Sequence, residues 1–265
     1  MSLRIQNNVE ALGAHRNLND TSSKIAKSME RLSSGYRINR AADDAAGLAI
    51  SERMRSQING LAQANRNIQD GVSLVQTAEG NLDEVHSMLQ RVRELAVQYK
   101  NGTLSTSDQA AIQTEVDQLA SEIERIGASA KFNGITLLAT SGSVTFQVGV
   151  NDGESISVST ISLGSTLGTF TSLANSTAIS AIDAAISSVS AARATFGAVQ
   201  NRLEHSMAST QVYAENLTAA ESRVRDVDMA AEMVTLTKNQ ILQQAGTSML
   251  AQANQAPQSI LSLIR

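Results

Sequence analysis

The residues best suited to chemistry lie in the stretch RLSSGYRINRAADDAAGLAI, residues 31–50. It places the adjacent carboxylates Asp43 and Asp44 beside Arg31, Arg37 and Arg40. Two neighbouring carboxylates can act as general acid and base when their surroundings push their pKa values apart. A carboxylate just before an Ala-rich helix start can instead cap the free N–H groups of the first turn. Because no histidine or nucleophile motif accompanies the pair, the sequence favours capping over catalysis.

Other reactive residues are sparse. The three histidines, His15, His86 and His205, have no histidine or carboxylate at metal-ligand spacing on a shared helix face. Cysteine is absent, which removes disulfides, thiolate catalysis and Cys-based zinc sites. No phosphate-binding loop, dinucleotide fingerprint or nucleophile elbow is present. We therefore predict no catalytic residue, no metal and no cofactor.

The charge, the hydropathy and the first residues of the sequence argue against several classes of partner. A net charge of -4 gives no basic patch of the kind that binds nucleic acid. No apolar run approaches the ~20 residues of a membrane span. The beginning, MSLRIQNNVEALG, lacks the apolar region of a secretory signal. We predict neither nucleic-acid binding nor membrane insertion.

The elements that must position these residues are long helices with seven-residue apolar spacing. Two rows of apolar or small residues form a coiled-coil seam in the first half of the chain. They are Met54, Leu61, Ile68, Val75, Leu82 and Leu89, with Ala64, Gly71, Ala78, Val85, Val92 and Tyr99. Only 3% of residues are aromatic and the sole proline is Pro257, which favours thin helical layers over a round core.

Further helices follow the same rule. A second seam runs from Ile112 to Ile126, and a hairpin with Asn101-Gly102 and a Ser105 or Ser107 cap joins it to the first. A third rod runs from Ile182 to Leu217, and a joint near 221–228 separates it from a last helix. An early helix ends near Leu32, so both chain ends are amphipathic helices without an obvious partner except each other or another chain.

Residues 132–170 change to a period of two. SVTFQVGV and ESISVSTI alternate apolar and polar side chains, and Asn151 to Gly153 supplies a hairpin turn. We predict a mainly α fold, an elongated antiparallel helical bundle or coiled coil with a small β-hairpin region. The N- and C-terminal halves would pair to form two stacked layers.

The stretch at residues 31–50 then becomes a joint between helices. Leu32 ends the apolar stripe of the first helix, Gly35 supplies the turn, and Asp43 or Asp44 caps the next helix. Arg31, Arg37 and Arg40 become candidates for contacts between layers or neighbouring subunits.

Several segments in order resemble bacterial flagellin, in a short form without variable outer domains. They are RLSSGYRINRAADDAAGLAI, QDGVSLVQTAEGNLDEVHSMLQRVRELAVQ, KFNGITLL, ARATFGAVQNRLE and QANQAPQSILSLIR. The resemblance implies a non-enzymatic subunit that polymerises into the extracellular flagellar filament and serves motility. It also implies an inner core domain, 1–42 with 228–265, and an outer rod domain, 43–227.

The resemblance further implies partners. These are other copies of the chain, an export chaperone at the C-terminal segment, and the filament cap and hook–filament junction proteins. Export would occur unfolded through the flagellar type III channel, without a cleaved signal peptide. Subunit packing would involve the terminal helices at Ile5, Val9, Leu12, Ile25, Leu32, Ile241, Leu250, Leu261 and Ile264.

The resemblance to flagellin also implies a contact with a host receptor. An animal toll-like receptor reads the flagellin segment that matches Gln90, Arg91 and Leu95, with Glu115 on the neighbouring helix. Two alternatives remain open: a hook–filament junction protein, and a monomeric coiled-coil binding module or an enzyme on a helical scaffold.

Overall fold

The computed structural model describes residues 8–164, 172–175 and 177–263, with side chains described as far as residue 255. Five helices account for most of this range: α1 Val9–Ser34, α2 Ala45–Tyr99, α3 Thr106–Ser129, α4 Ala178–Arg225 and α5 Met229–Leu263. Four short strands lie between α3 and α4: β1 Lys131–Phe132, β2 Ile135–Thr136, β3 Gly142–Gln147 and β4 Ser155–Thr160. The predicted mainly α class with a small β-region is confirmed.

The strands form two antiparallel hairpins, whereas the sequence interpretation had named one. In the larger hairpin, β3 pairs with β4 so that Val144 faces Val158. The smaller pairs β1 with β2 around Asn133-Gly134, whose φ angles of 48° and 80° are those that Asn and Gly tolerate. The Asn-Gly pair was the signal for this second hairpin.

The chain forms two compact units. The terminal unit is Met1–Ser56 with Leu217–Arg265, and the middle unit is Gln57–Asn216. Helices α2 and α4 contribute residues to both.

The predicted seam is the core of the middle unit. All residues of the two α2 rows except the half-buried Met54 and Tyr99 are buried, with Leu82 and Val85 at 0% exposure, and Ile182 of α4 joins them. Ion pairs from α2 reach both other helices: Arg91 Nη2 lies 2.9 Å from Glu115 Oε1 of α3, and Arg93 Nε lies 2.6 Å from Asp183 Oδ1 of α4. Helix α2 therefore packs against two helices at one level.

A glycine allows the larger hairpin to approach α2 closely. A Cβ added at Gly71 would lie 3.3 Å from atoms of both Leu203 and Phe146. The small residue in the predicted seam thus provides the space in which α4 and β3 meet α2.

Helix α3 starts with a reciprocal cap. The Ser105 hydroxyl accepts a hydrogen bond from the Asp108 N–H, and the Asp108 carboxylate accepts one from the Ser105 N–H. The Ser105 hydroxyl also donates to the Asp108 carboxylate, and this bond, together with the one from the Ser105 N–H, lowers the pKa of Asp108. Of the two predicted cap residues, Ser105 is the one used.

Candidate functional site

The two terminal helices pair with each other in opposite directions. Asn8 Nδ2 at the start of α1 donates to the Ala253 carbonyl oxygen at 2.7 Å, while Arg31 Nη1 near its end lies 3.5 Å from Glu232 Oε2. The predicted pairing of the chain ends is present within one molecule.

This pairing buries little. Among the described residues of the terminal unit, the buried hydrophobic side chains are Ile38 and Leu236. Of these, Leu236 lies on the helix pair, as do the buried polar residues Ser28 and Asn239. A thin contact of this kind provides few of the apolar contacts that stabilise a closed core.

Helix α1 is one-sided. Ile25 and Leu32 are half-buried and share a face with Ser28, while most residues of the opposite face are polar. Val9 and Leu12 are the exceptions, with 66% and 61% of their surfaces exposed.

Helix α5 is apolar on two sides. Leu236 is buried and Leu250 is half-buried on the side that pairs with α1. Val234 and Ile241, seven residues apart, lie on the opposite side of the helix at 70% and 61% exposure. Leu242 and Met249 form a second exposed row with the same spacing. We name these four residues the α5 outer rows.

The predicted subunit-packing residues therefore differ in how exposed they are. Val9, Leu12 and Ile241 are exposed, and Ile25, Leu32 and Leu250 are half-buried in the helix pair. Ile5, Ile264 and the Leu261 side chain lie outside the described residues. The sequence selection omitted Val234, Leu242 and Met249, although their seven-residue spacing was a readable signal.

The connector between α1 and α2 uses both acids structurally. Gly35 ends α1 in the left-handed conformation, with φ 75° and its N–H bonded to the Arg31 carbonyl oxygen. Asp44 caps α2, since its Oδ1 accepts from the Gly47 N–H at 2.8 Å. Asp43 closes the turn by accepting from the N–H groups of Asn39 and Arg40.

Lys27 of α1 forms an ion pair with Asp43. Lys27 Nζ lies 2.6 Å from Asp43 Oδ1. This contact, with the backbone hydrogen bonds, lowers the pKa of Asp43 to about 2. An acid ionised so strongly is a poor proton donor near neutral pH, so the geometry supports a turn rather than acid–base catalysis.

The connector arginines bind groups of their own chain. Arg37 Nη2 donates to the Val224 carbonyl oxygen at 2.6 Å, and Arg40 Nε donates to Glu30 Oε1 at 2.9 Å. The backbone of Tyr36 forms a bridge with Asp226. The connector between α1 and α2 is thereby joined to the end of α4 and to the short connector between α4 and α5.

One further arginine, which sequence reasoning missed, strengthens this junction. Arg225 Nη1 donates to Glu52 Oε1 at 2.7 Å and lowers the pKa of that carboxyl. Its guanidinium also lies 4.7 Å from the centroid of the Tyr36 ring. No sequence spacing links these three residues, because the contacts exist only once the connectors meet.

The predicted receptor residues divide into surface and core. Gln90, Arg91 and Glu115 are exposed, and the Glu115 carboxylate raises the pKa of the Arg91 guanidinium. Leu95 is 2% exposed and belongs to the buried cluster of the middle unit.

The histidines show no catalytic arrangement. His86 Nε2 lies 3.0 Å from Gln90 Nε2, and His15 Nδ1 lies 3.5 Å from Asn19 Nδ2. Within the described ranges, no three His, Asp or Glu side chains cluster closely enough to hold a metal ion. No helix in that part of the chain is long and apolar enough to cross a membrane.

Comparison with known proteins gives matches along nearly the whole chain. The family model for the bacterial flagellin N-terminal helical region matches residues 5–143, and that for the C-terminal helical region matches residues 179–264.

Individual relatives match at high identity. A flagellin of Halalkalibacterium halodurans is 53% identical, with 98% of this chain and 99% of the relative covered. A flagellar filament 33 kDa core protein of Treponema phagedenis is 47% identical over the same shares of the two chains. The crystal structure of Bacillus cereus flagellin is 32% identical with a TM-score of 0.51, covering 59% of this chain and 94% of that one.

Proposed function

The chain belongs to the bacterial flagellin family, and from this we propose that it is a structural subunit of the flagellar filament that polymerises through its terminal helix pair. In this proposal the core domain is 1–42 with 228–265, and the outer domain is 43–227. The core limits fall within the terminal unit. The product is a passive extracellular filament, and the chain catalyses no reaction.

The observation that carries the proposal is the exposure of the α5 outer rows. Exposed apolar side chains that are scattered singly need no explanation, but two parallel rows on one helix form a continuous patch. The row of Val234 and Ile241 lies across the helix from the side that pairs with α1, and the row of Leu242 and Met249 lies about a quarter turn from that side. A second copy of the chain can cover this patch with its own terminal helices.

The physical drive is burial of this apolar surface. Each Å² of apolar area removed from water contributes about 25 cal/mol, against which the ordering of the joining subunit must be counted. Since α1 and α5 are already paired within one molecule, with Arg31 beside Glu232 and Asn8 bonded to Ala253, part of that ordering is complete in the monomer. A contact that repeats head to tail without closing yields an open helical filament.

Seeded elongation tests the proposal. A Val234→Ser, Ile241→Ser variant should remain a folded monomer but fail to extend filament fragments seen by electron microscopy. The matched control is Val212→Ser, which removes an exposed valine (58%) from the middle unit and should elongate normally. Normal filaments from the double variant would contradict the proposal, and growth that stops at short rings would favour a junction protein.

Deletion of the last ten residues tests the end of the C-terminal helix, beyond the α5 outer rows. We expect a soluble monomer with an intact middle unit, because the buried cluster of that unit lies within residues 68–203. Filaments of normal length from this truncated chain would contradict a role for the C-terminal helix.

The proposal also covers the host contact. Gln90, Arg91 and Glu115 offer an exposed polar surface to an animal toll-like receptor, with Leu95 supporting it from beneath. Arg91→Ala should weaken receptor binding measured with the purified ectodomain. Arg125→Ala is the control, because it removes a surface arginine that is also ion-paired but lies on α3 rather than on α2.

The remaining partners follow from the flagellin family. We propose export as an unfolded chain through the flagellar type III channel, with a chaperone on the C-terminal segment and growth beneath a cap above the hook–filament junction. The exposed apolar rows of α5 support a chaperone, because an apolar helix face in the cell requires cover before assembly. Co-purification with a chaperone that is lost on removing α5 would test this.

A further inference from the structure

Among the residues that the structure describes, the exposed methionines lie on the terminal helices. Met29, Met229, Met233 and Met249 have 54%, 49%, 50% and 64% of their surfaces exposed. The other methionines among the described residues, Met54, Met88 and Met207, are half-buried.

Two of the exposed methionines lie at one level of the helix pair. The Arg31–Glu232 ion pair sets the register of α1 against α5. Met29 lies two residues before this arginine and Met233 directly follows the glutamate, while Met229 lies one turn earlier in α5. Met249 belongs to the α5 outer rows themselves. All four methionines therefore lie on the terminal helix pair through which the proposed function joins subunits, and one of them is part of the α5 outer rows.

Exposure governs the reaction of a thioether with peroxide. The sulfur lone pair attacks one oxygen of hydrogen peroxide, the O–O bond breaks, and a proton shift releases the other oxygen as water. The sulfur is oxidised to a sulfoxide and the peroxide is reduced. The product is a polar group where a flexible apolar side chain stood, and methionine sulfoxide reductases reverse the change.

We propose that Met29, Met229, Met233 and Met249 form a peroxide-sensitive modification site that controls the entry of free subunits into filaments. This rests on the proposed function, since it requires the terminal helices to be the assembly surface. A sulfoxide buried without a hydrogen-bond donor is penalised, so the oxidised subunit joins a growing end poorly. Subunits already in a filament keep the same sulfurs covered and resist the reaction.

The first experiment maps the reaction. Folded monomer is treated with dilute hydrogen peroxide, and sulfoxide formation at each methionine is followed by peptide mass spectrometry. We expect the four terminal-helix methionines to react before Met54, Met88 and Met207, and to be protected in filaments. Equal rates at all positions in the folded monomer would overturn the modification site.

The second experiment links modification to assembly. We expect peroxide treatment to raise the critical concentration for seeded elongation roughly tenfold, the effect of losing about 1.4 kcal/mol per subunit. Sulfoxide reductase should restore the original value. Circular dichroism of the oxidised monomer distinguishes a blocked surface from unfolding.

Variants assign the effect to the site. In the chain with Met29→Leu, Met229→Leu, Met233→Leu and Met249→Leu, the ratio of critical concentrations after and before peroxide should be close to one. The matched control, with Met54→Leu, Met88→Leu and Met207→Leu, should keep the wild-type ratio. A peroxide-insensitive wild type, or a quadruple variant as sensitive as wild type, overturns the proposal. Untreated protein that fails to elongate instead overturns the assembly function, while the mapping experiment still decides the reactive site.

Discussion

The middle and terminal units are built from helices with the same seven-residue apolar spacing, but they use it differently. In the middle unit, the α2 rows meet α3 and α4, and Leu82, Val85 and Leu89 have no exposed surface. In the terminal unit, the described part of α5 packs mainly against α1, and Val234 and Ile241 remain mostly exposed. A heptad pattern therefore predicts an apolar helix face that needs a packing partner. Whether this face is buried within the molecule depends on how many helices of the same chain pack against it.

The largest expected difference between the two units is in the effect of truncating an apolar side chain of a heptad row. Leu82→Ala should lower the free energy of unfolding of the middle unit by about 2–5 kcal/mol, because the buried site loses apolar contacts and leaves a cavity. Ile241→Ala, the matched truncation on the exposed row, should change monomer stability by less than about 0.5 kcal/mol. Urea denaturation of the monomers measures both, and a loss above 1 kcal/mol for Ile241→Ala would show that the row is covered in the free subunit.

The connector of the terminal unit offers the next largest effect. Gly35→Ala should cost about 1–2 kcal/mol, because φ is 75° at this position and a Cβ there is strained. Hydrogen exchange read by mass spectrometry should place the loss in α1 and α5 rather than in the middle unit. Gly13→Ala in the interior of α1 is the control; nothing lies within 4 Å of its added Cβ, so it should be neutral or stabilising. Equal losses for the two variants would show that φ is not the cause.

The cap of α2 should have a somewhat smaller effect. Asp44→Ala should cost about 1 kcal/mol, because the Gly47 N–H loses its acceptor at the positive end of the helix. Asp44→Asn retains a side-chain oxygen and should recover most of the loss in the same denaturation assay. If Asn fails to rescue, charge rather than capping accounts for the contribution.

The smallest expected effect is a pH dependence in the connector. The pKa of Asp43 is lowered to about 2, chiefly by Lys27, so its carboxylate stabilises the folded state at neutral pH. That contribution is complete above the unfolded pKa near 4 and is lost as pH falls through about 2. The stability difference between wild type and Asp43→Asn should therefore shrink across this window.

Lys27→Met supplies the matching test from the other side of the ion pair. It should raise the pKa of Asp43 and shift the loss of stability to higher pH, as thermal melts between pH 2 and 7 would show. An unchanged pH profile would show that the backbone hydrogen bonds alone set this pKa.

Much of the fold was predictable because its signals are local. The apolar rows predicted the long helices, Gly35 predicted the end of α1, and Ser105 was one of two predicted caps for α3. These features depend on backbone conformation and on hydrogen bonds within four residues, which the neighbouring sequence contains. The candidate assembly surface was only partly predictable, because spacing identifies an apolar row without identifying its partner.

Leu95 illustrates that limit. The resemblance implied that Leu95 contacts a receptor together with Gln90 and Arg91. However, α2 packs against α3 and α4 at this level, so its buried stripe is wider than a two-helix seam requires and includes Leu95. The contacts of Arg225 with Glu52 and Tyr36 are similar, since they join residues more than 170 positions apart.

The sequence by itself determined helix periods, helix ends and the absence of cysteine chemistry, because each depends on residue type and short-range spacing. Which apolar rows are covered by residues of the same chain and which stay exposed became evident from the tertiary structure alone. The physical reason is that a side chain is buried only where a second surface packs against it. Leu82 and Ile241 are both large apolar residues of heptad rows, and only Leu82 has enough of the same chain packed around it.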